Sequence, residues 1–377
     1  MKIIYCLQST YNSGGMERIV ISKANYLNRL GHEIIIVTTN QKGRESFFSI
    51  DFGIRCIDLE INYDDIENLS FVKKYVERRK KLIKHHKMLN RILSEEHPDI
   101  TISTFGNEIA FLHRIQFGGK KVAEIHFSRF YRLQLEQKGI WRLANRWLTY
   151  QFKQNVKKYD AFVCLTKEDS LNWRGVKHLH VIPNFINYRS SLPASLDSKV
   201  VIAAGRLSYQ KGYDRLLDVW KIVQEHCPEW RLEIYGSGEQ KKFLQNIINN
   251  QGISSSVIIK DPVKDIYKCF SKSSIFVLSS RYEGLPMVML EAMGCGLPIV
   301  SFDCQCGPKD LLENNNAGIL VQNGDIKGLA EKIILLIENE TMRKEMGKAA
   351  YDESEKYLPE PVIRKWIALL ENLTTKV

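Results

Sequence analysis

A chain of 377 residues is longer than one ordinary domain and long enough for two. Its 44% hydrophobic and 26% charged residues exclude a disordered or fibrous chain, and no apolar run reaches the roughly 20 residues needed to cross a bilayer. The formal charge of +11 is lopsided: residues 1–190 carry 31 Lys and Arg against 19 Asp and Glu, and the remainder 23 against 24. A basic half and a balanced half are expected to meet different partners.

The chain opens on a short apolar run to Leu7, followed at once by polar and glycine residues from Gln8 to Gly15. That reads as a strand and a loop, not a leader, so the expected location is the cytoplasm. Strands are expected at 3–7, 34–38, 54–59, 99–103, 121–125, 161–165 and 180–182. Between the first two, Val20, Ala24, Leu27 and Leu30 repeat at the helical period over 16–30, and Gly31 is a natural stop. Strand, crossover helix and strand in series make a parallel sheet with helices on both faces.

Residues 183–198 hold Pro183, Pro193 and a cluster of serines between apolar runs, and are expected to be a linker. The pattern then restarts, with strands expected at 200–204, 232–235, 257–260, 275–278, 299–301 and 319–321. Leu216, Leu217, Trp220 and Val223 mark one helix of this half; Leu329, Ile333, Leu336 and Ile337 mark another. The expected division is a Rossmann-like domain over 1–190, a second over 191–358, and a tail, 359–377, whose helix at about 361–370 packs back on the first domain. The fold class is α/β, two Rossmann-like parallel-sheet domains facing across a cleft, with ligands at the carboxyl ends of the strands.

Three loops carry candidate chemistry. Gly14 and Gly15 follow the first strand and open the first helix, where free N–H groups suit an anion; a plain turn fits equally. Arg206 and Lys211 lie in the G-R-L-S-Y-Q-K-G segment just after the strand at 200–204. Two cations there could neutralise a diphosphate without metal, or be ordinary solvated charges. Glu283 and Glu291 stand eight residues apart across a Gly-Leu-Pro turn and a helix start. Taken as helical rise, that spacing is roughly 12 Å, with Glu291 about two turns into an apolar helix. A carboxylate there needs a partner, either a ligand or a neighbouring backbone group or arginine. The eight cysteines form no C-x-x-C pair, and Cys304 with Cys306 lacks a partner pair at zinc spacing, so no metal site is expected.

The densest charge is the run from Lys73 to Lys87, with apolar positions at Val72, Val76, Ile83 and between Leu89 and Leu93. Trp141 to Leu148 mixes tryptophan and arginine in a similar way. Such faces either lie on an anionic membrane surface or are simply solvated.

The stretch S-R-Y-E-G-L-P-x-x-x-L-E-A-M-x-C-G-L-P-I-V resembles the E-x-seven-E signature of retaining glycosyltransferases of the GT-B fold, glycosyltransferase family four in particular. G-R-L-S-x-x-K-G resembles the phosphate-binding element of that family, and G-G-M-E-R its N-terminal glycine loop. Gly236 and Gly238, after the strand at 232–235, match its G-x-G. The motifs occur in order along nearly the whole chain, and the nearest branch builds bacterial capsule, exopolysaccharide or O-antigen.

The resemblance implies roles. Arg206 and Lys211 would hold the donor diphosphate, Glu291 the ribose and Glu283 the sugar. The backbone of Gly284, Leu285, Pro286 and Met287 would help hold phosphate and sugar. Gly14 and Gly15 would approach the donor from the facing domain, Gly15 lending its N–H. Gly236 would line the donor site. His126 would be the active-site histidine; its other reading is a structural histidine beside an aromatic. Asp310 stands in G-P-K-D-L-L where the family often has Glu, and its role is left open.

The expected activity is transfer of a hexose or N-acetylhexosamine, with retention, from a nucleotide-diphosphate sugar (UDP favoured) to a glycan or lipid-linked acceptor. No cofactor is expected, since the nucleotide sugar is a substrate. Expected partners are donor, acceptor and an anionic membrane surface on the inner face of the cytoplasmic membrane, with no nucleic acid. The competing readings are a non-hydrolysing UDP-sugar 2-epimerase, a non-catalytic nucleotide-sugar sensor and a nucleic-acid binder. Against the last, no nucleic-acid motif accompanies the charge.

Overall fold

Runs rich in Ile and Val alternate with amphipathic stretches along the whole chain, and each run becomes a strand of one of two parallel sheets. The structure is a computed structural model that describes residues 1–133 and 139–375. Of Phe71, Ile140 and Trp141 only the helical backbone is described, so the expectation for the Trp141 side chain lies outside the described residues.

The first unit comprises residues 1–165, 169–183 and the C-terminal residues from Val362 onward. Its strands are β1 (Lys2–Leu7), β2 (Glu33–Thr38), β3 (Arg55–Asp58), β4 (Ile100–Ser103), β5 (Lys120–Glu124), β6 (Ala161–Cys164) and β7 (Leu179–Val181). They form one sheet in the order β3-β2-β1-β4-β5-β6-β7, all parallel. The crossovers are α1 (Gly15–Arg29), α2 (Phe71–Glu96), α3 (Ile140–Val156) and α4 (Lys167–Asn172). In the central strands Ile3 pairs with Ile34 and with Ile100, all fully buried. Burial on both faces is why these strands read as continuous apolar runs rather than alternating ones.

The second unit comprises residues 166–168 and 184–361. Its strands are β8 (Val200–Ala204), β9 (Arg231–Tyr235), β10 (Val257–Lys260), β11 (Ile275–Leu278), β12 (Ile299–Asp303) and β13 (Gly318–Gln322), in the order β10-β9-β8-β11-β12-β13, again parallel. Its helices are α5 (Tyr213–His226), α6 (Lys241–Gln251), α7 (Tyr267–Phe270), α8 (Met287–Met293), α9 (Pro308–Leu312), α10 (Ile326–Glu338) and α11 (Glu340–Glu353). Leu216, Leu217, Trp220 and Val223 of α5 share one core with Leu329, Ile333 and Leu336 of α10. The last helix is α12 (Pro359–Thr375), longer than the stretch expected from its apolar residues.

In both sheets the winding reverses beside the first strand, between β1 and β4 and between β8 and β11. Such a reversal leaves a crevice outside the carboxyl ends of the two strands, where ligands of open α/β sheets bind. The expected linker differs from what is found. The chain passes from one unit to the other between Pro183 and Asn184, and residues 184–198 belong to the second unit. They are held there by short bonds: Ile186 N–H to the Tyr357 carbonyl, Ser190 N–H to Gly294 and Ala194 N–H to Cys295. Proline and serine gave this stretch the look of a tether, but its backbone is paired.

The glycines of the second unit have a packing reason. A Cβ on Gly236 would stand 1.9 Å from the Gly205 carbonyl oxygen, and one on Gly212, at φ +64°, 2.2 Å from that of Ser279. The loops after β8, β9 and β11 therefore touch backbone to backbone, which only glycine permits. This accounts for Gly236 without a ligand.

Candidate active site

The loops after β8 and β11 leave neighbouring strands, so residues about seventy apart in sequence meet. Lys211 donates through Nζ to Glu283 Oε1 at 2.7 Å, and the Ser280 hydroxyl donates to the same oxygen at 2.6 Å. The Glu283 side chain is 6% exposed and that of Lys211 18%. Burial, then the nearby Glu283 charge, pushes the Tyr213 phenol up. Arg206 is exposed one turn of loop earlier, and its guanidinium has no ion-pair or hydrogen-bond partner among the described residues. Sequence reasoning gave Lys211 and Glu283 to separate parts of a ligand; here they also hold each other.

Arg281, the residue between Ser280 and Tyr282, fastens the two loops and was missed. Its guanidinium makes a two-pronged pair with Asp214, at 2.9 and 2.6 Å, donates to the Tyr209 carbonyl at 2.7 Å and stacks on the Tyr209 ring at 3.9 Å. Its backbone N–H donates to the Gln210 carbonyl at 2.8 Å, and Gln210 returns a side-chain bond to the Tyr282 carbonyl at 3.1 Å. The fork of an arginine suits this geometry and a lysine does not. No spacing rule pairs Arg281 with Asp214; only the adjacency of β8 and β11 does.

Residues 284–286 turn before α8. A Cβ on Gly307, at φ +106°, would stand 2.4 Å from Pro286 Cδ and 3.3 Å from the Leu285 Cα, so this turn rests directly on Gly307. Met287 is the first residue of α8 and Glu291 its fifth. The expected rise of roughly 12 Å assumed helix throughout, yet only the second half of the interval is helical, and Glu291 is about one turn in rather than two. It is buried, at 5% exposure.

Asp310 has a definite place. Its two oxygens accept the backbone N–H groups of Lys167 and Glu168 at 2.9 and 3.0 Å, and Glu168 in turn accepts the Cys306 N–H at 3.0 Å. This reciprocal exchange ties residues 166–168 to the start of α9, as a capping box ties a helix to its own entry. The carboxylate reaches backbone, which a short Asp does well.

In the first unit, Gly14 precedes α1 and Gly15 begins it. A Cβ on Gly15 would meet nothing within 4 Å, so packing does not require glycine there. His126 follows β5, and its side chain is 3% exposed, turned inward with Nε2 3.2 Å from Glu124 Oε1. The next residue, Phe127, lines a groove of about 650 Å³ together with Tyr75, Arg78, Phe105, Arg132 and Trp147. Arg132 lies over the rings of Tyr131 and Phe152 at 4.9 and 5.0 Å, and Phe105 meets Phe127 edge to face at 5.9 Å. The loop after His126 is anchored by Asp169, which accepts the Arg129 N–H at 3.1 Å and the Trp173 indole N–H at 2.8 Å. These aromatic and arginine positions are scattered over four segments, so no local motif announces the groove.

The Arg281–Asp214 clamp generates a test. Burial pushes the Asp214 carboxyl up, but Arg281 more than offsets this and holds it below its ordinary range. A depressed carboxyl contributes stability above the ordinary carboxylate range, lost as pH falls through the depressed value. Asp214→Asn should therefore lower the melting temperature at pH 7 by a few degrees, corresponding to about 1–2 kcal/mol for a half-buried pair. The gap from wild type should shrink as pH falls below about 4. A gap that is the same at pH 7 and pH 3 would show that the pair contributes nothing through its charge.

Over residues 13–189 the chain matches Glycosyltransferase Family 4, and over residues 184–353 it matches Glycosyl transferases group 1. It is 29% identical over 376 residues to an uncharacterized glycosyltransferase of Haemophilus influenzae, a match covering 98% of this chain and 99% of that protein. It is 26% identical over 380 residues to a Campylobacter jejuni protein named GalNAc-alpha-(1->4)-GalNAc-alpha-(1->3)-diNAcBac-PP-undecaprenol alpha-1,4-N-acetyl-D-galactosaminyltransferase, covering 98% of each. Among solved structures, a Staphylococcus aureus TarM mutant in complex with Fondaparinux, alpha-GlcNAc-glycerol and UDP superposes with a TM-score of 0.78 at 18% identity, over 98% of this chain and 99% of that one. At that identity the likeness concerns the fold. With both halves matched in chain order and two parallel sheets of this kind, the chain belongs to the glycosyltransferases of the GT-B fold.

Proposed function

We propose that this glycosyltransferase takes its sugar from a nucleoside-diphosphate donor, UDP-linked in our preferred reading, and passes it with retention to a saccharide acceptor. The observation that carries the donor reading is the Lys211–Glu283–Ser280 cluster beside the exposed Arg206 at one strand switch point. As the bond from sugar to diphosphate breaks, negative charge grows on the leaving group, and fixed cations stabilise it where it develops. Arg206 and Lys211 serve that role, Glu283 holds the sugar, Glu291 the ribose, and the backbone of Gly284 to Met287 the groups between. The UDP in the Staphylococcus aureus structure supports the choice of base. Two cations suffice for the diphosphate, so binding is expected to proceed without divalent metal.

The groove beside His126 is assigned to the acceptor. Aromatic faces stack on sugar rings and on apolar chains, and the arginines match an anionic group on the acceptor. The diphosphoundecaprenol in the name of the Campylobacter jejuni relative supports a lipid-linked saccharide. Gly14 and Gly15, at the carboxyl end of β1, and His126, at that of β5, serve the same reaction. Glycan assembly at a bacterial surface is the process we assign.

Steady-state transfer from a panel of nucleotide sugars, in chelator, tests this reading, with the anomeric configuration of the product read by proton NMR. Lys211→Ala should lower kcat by about a hundredfold, on the order of 3 kcal/mol. Glu283→Gln should do much the same, and the double variant should lose far less than the product of the two, because each single change strands the other partner. Glu291→Gln should raise KM more than it lowers kcat, since the ribose does not change charge in the reaction. Near-normal turnover in both Lys211→Ala and Glu283→Gln would place the active site elsewhere. Activity only with added Mn²⁺ would overturn the metal-free reading.

We also propose that α2 and α3 rest on an anionic bilayer. Val72, Val76 and Ile83 on α2 and Leu143 and Trp147 on α3 are exposed among lysines and arginines. The basic face is smaller than its sequence implied, since Lys81 donates to the Ile61 and Asn62 carbonyls and Lys84 to that of Glu60. No helix of the described residues is long and apolar enough to cross a membrane. Vesicles rich in phosphatidylglycerol should pull the protein down at low salt and release it near 1 M salt, where the Debye length falls to about 3 Å. Protein left in the supernatant at low salt would show that the face is only solvated.

A further inference from the structure

A lysine and a glutamate lie wholly inside the first unit beneath His126, and nothing so far uses them. Residues Val122, Glu124 and His126 alternate on one face of β5 and its extension, so the strand period places Glu124 and His126 side by side. On α1, Lys23 falls on the face of Val20 and Leu27, the buried one, and its ammonium pairs with both oxygens of Glu124. Side-chain exposures along this chain are 1% for Lys23, 2% for Glu124 and 3% for His126. The ammonium is sealed by aromatic faces, 3.7 Å from the centre of the Trp366 ring on α12 and 5.4 Å from that of Tyr5 on β1.

A buried ion pair contributes little net stability compared with apolar residues of the same shape, because each charge is desolvated. Its retention beneath a candidate active-site residue asks for another reason. One oxygen of Glu124 is 3.2 Å from His126 Nε2, at ion-pair distance, and neither ring nitrogen has a hydrogen-bond partner among the described residues. The nitrogen that faces a carboxylate carries the proton, and this decides the character of the other. We infer that Glu124 and Lys23 are positioning residues for His126: the Glu124 carboxylate beside Nε2 places the ring proton on that nitrogen and leaves Nδ1 as the basic one, and Lys23 balances the carboxylate charge in the interior.

The charged and titratable groups that face this chain are Lys23 from α1, Tyr5 from β1, and Glu124 and His126 themselves. Burial pushes the Glu124 carboxyl up, but Lys23 and then His126 overcome this and bring it down to about 2, so it stays ionised across the working range. Burial, then the Glu124 charge, pushes the Tyr5 phenol well up, so Tyr5 stays neutral. With Lys23 removed, an uncompensated carboxylate would face the imidazole and favour its charged form.

The inference rests on His126 serving the transfer reaction, and the experiment separates the two. Full-length protein labelled with ¹⁵N-histidine is titrated by NMR, with the His126 signals assigned from their loss in His126→Ala. In wild type the proton of the neutral ring should sit on Nε2. In Lys23→Met the His126 pKa should rise by at least one unit, and the limb of the pH–turnover profile assigned to His126 should move with it. Lys23→Met with Glu124→Leu replaces the pair by apolar residues and should keep a melting temperature within a few degrees of wild type. In that double variant the Nε2–H form should no longer dominate, and kcat should fall at least tenfold with the donor KM unchanged. A double variant that keeps both the wild-type tautomer and wild-type kcat would overturn the positioning role. Unchanged turnover in His126→Ala would overturn the placement of His126 in the reaction, while the tautomer measurement still decides what Glu124 and Lys23 do to the ring.

Discussion

A lysine and a glutamate 72 residues apart meet at 2.7 Å, and the second unit is arranged around that meeting. It requires β8 and β11 to be neighbours, because Lys211 leaves the first and Glu283 the second. It requires glycine at 212, since any Cβ would strike the Ser279 carbonyl. It requires the Arg281–Asp214 pair, which holds the two loops at fixed height. Each is a constraint on backbone approach more than on side-chain chemistry. In a partly buried setting the two charges interact more strongly than at a surface.

The first unit is built on the same sheet logic but carries different chemistry. Its excess positive charge lies partly on α2, where several lysines are already engaged by backbone carbonyls. Its groove is aromatic with arginines among the rings, while the interior below His126 holds a fully enclosed ion pair. In the second unit, by contrast, Lys211 with Glu283 and Arg281 with Asp214 are tied to one another across two loops.

Much of the fold was legible from local pattern. All thirteen strands of the described residues fall where β-rich runs were read, within one or two residues at their ends. Crossover helices separate most successive strands, and that spacing is visible in the chain, although β2 and β3 pair in parallel across a connection without a helix. Lys211, Glu283 and Glu291 stand out as candidates because they occur in short ordered segments, and the structure brings the first two together. What was not legible depends on adjacency across the sheet. Arg281 and Asp214 carry no mutual spacing signal. Residues 184–198 look like a tether in composition, and only their backbone pairing places them in the second unit. Lys23 and Glu124 did leave a trace: each is a charge at a position whose helical or strand period assigns it to the interior. Asp310, left without a role on sequence, is explained by two backbone N–H groups distant in the chain.

We propose above all that the second unit holds a nucleoside diphosphate in the loops after β8 and β11. Hydrogen exchange with and without saturating UDP reads this directly, because a bound ligand slows local opening of the segments it touches. Slowed exchange concentrated in peptides spanning 205–212 and 280–291 is the expected result. Binding of UDP with unchanged exchange in both segments, and slowing confined elsewhere, would contradict it.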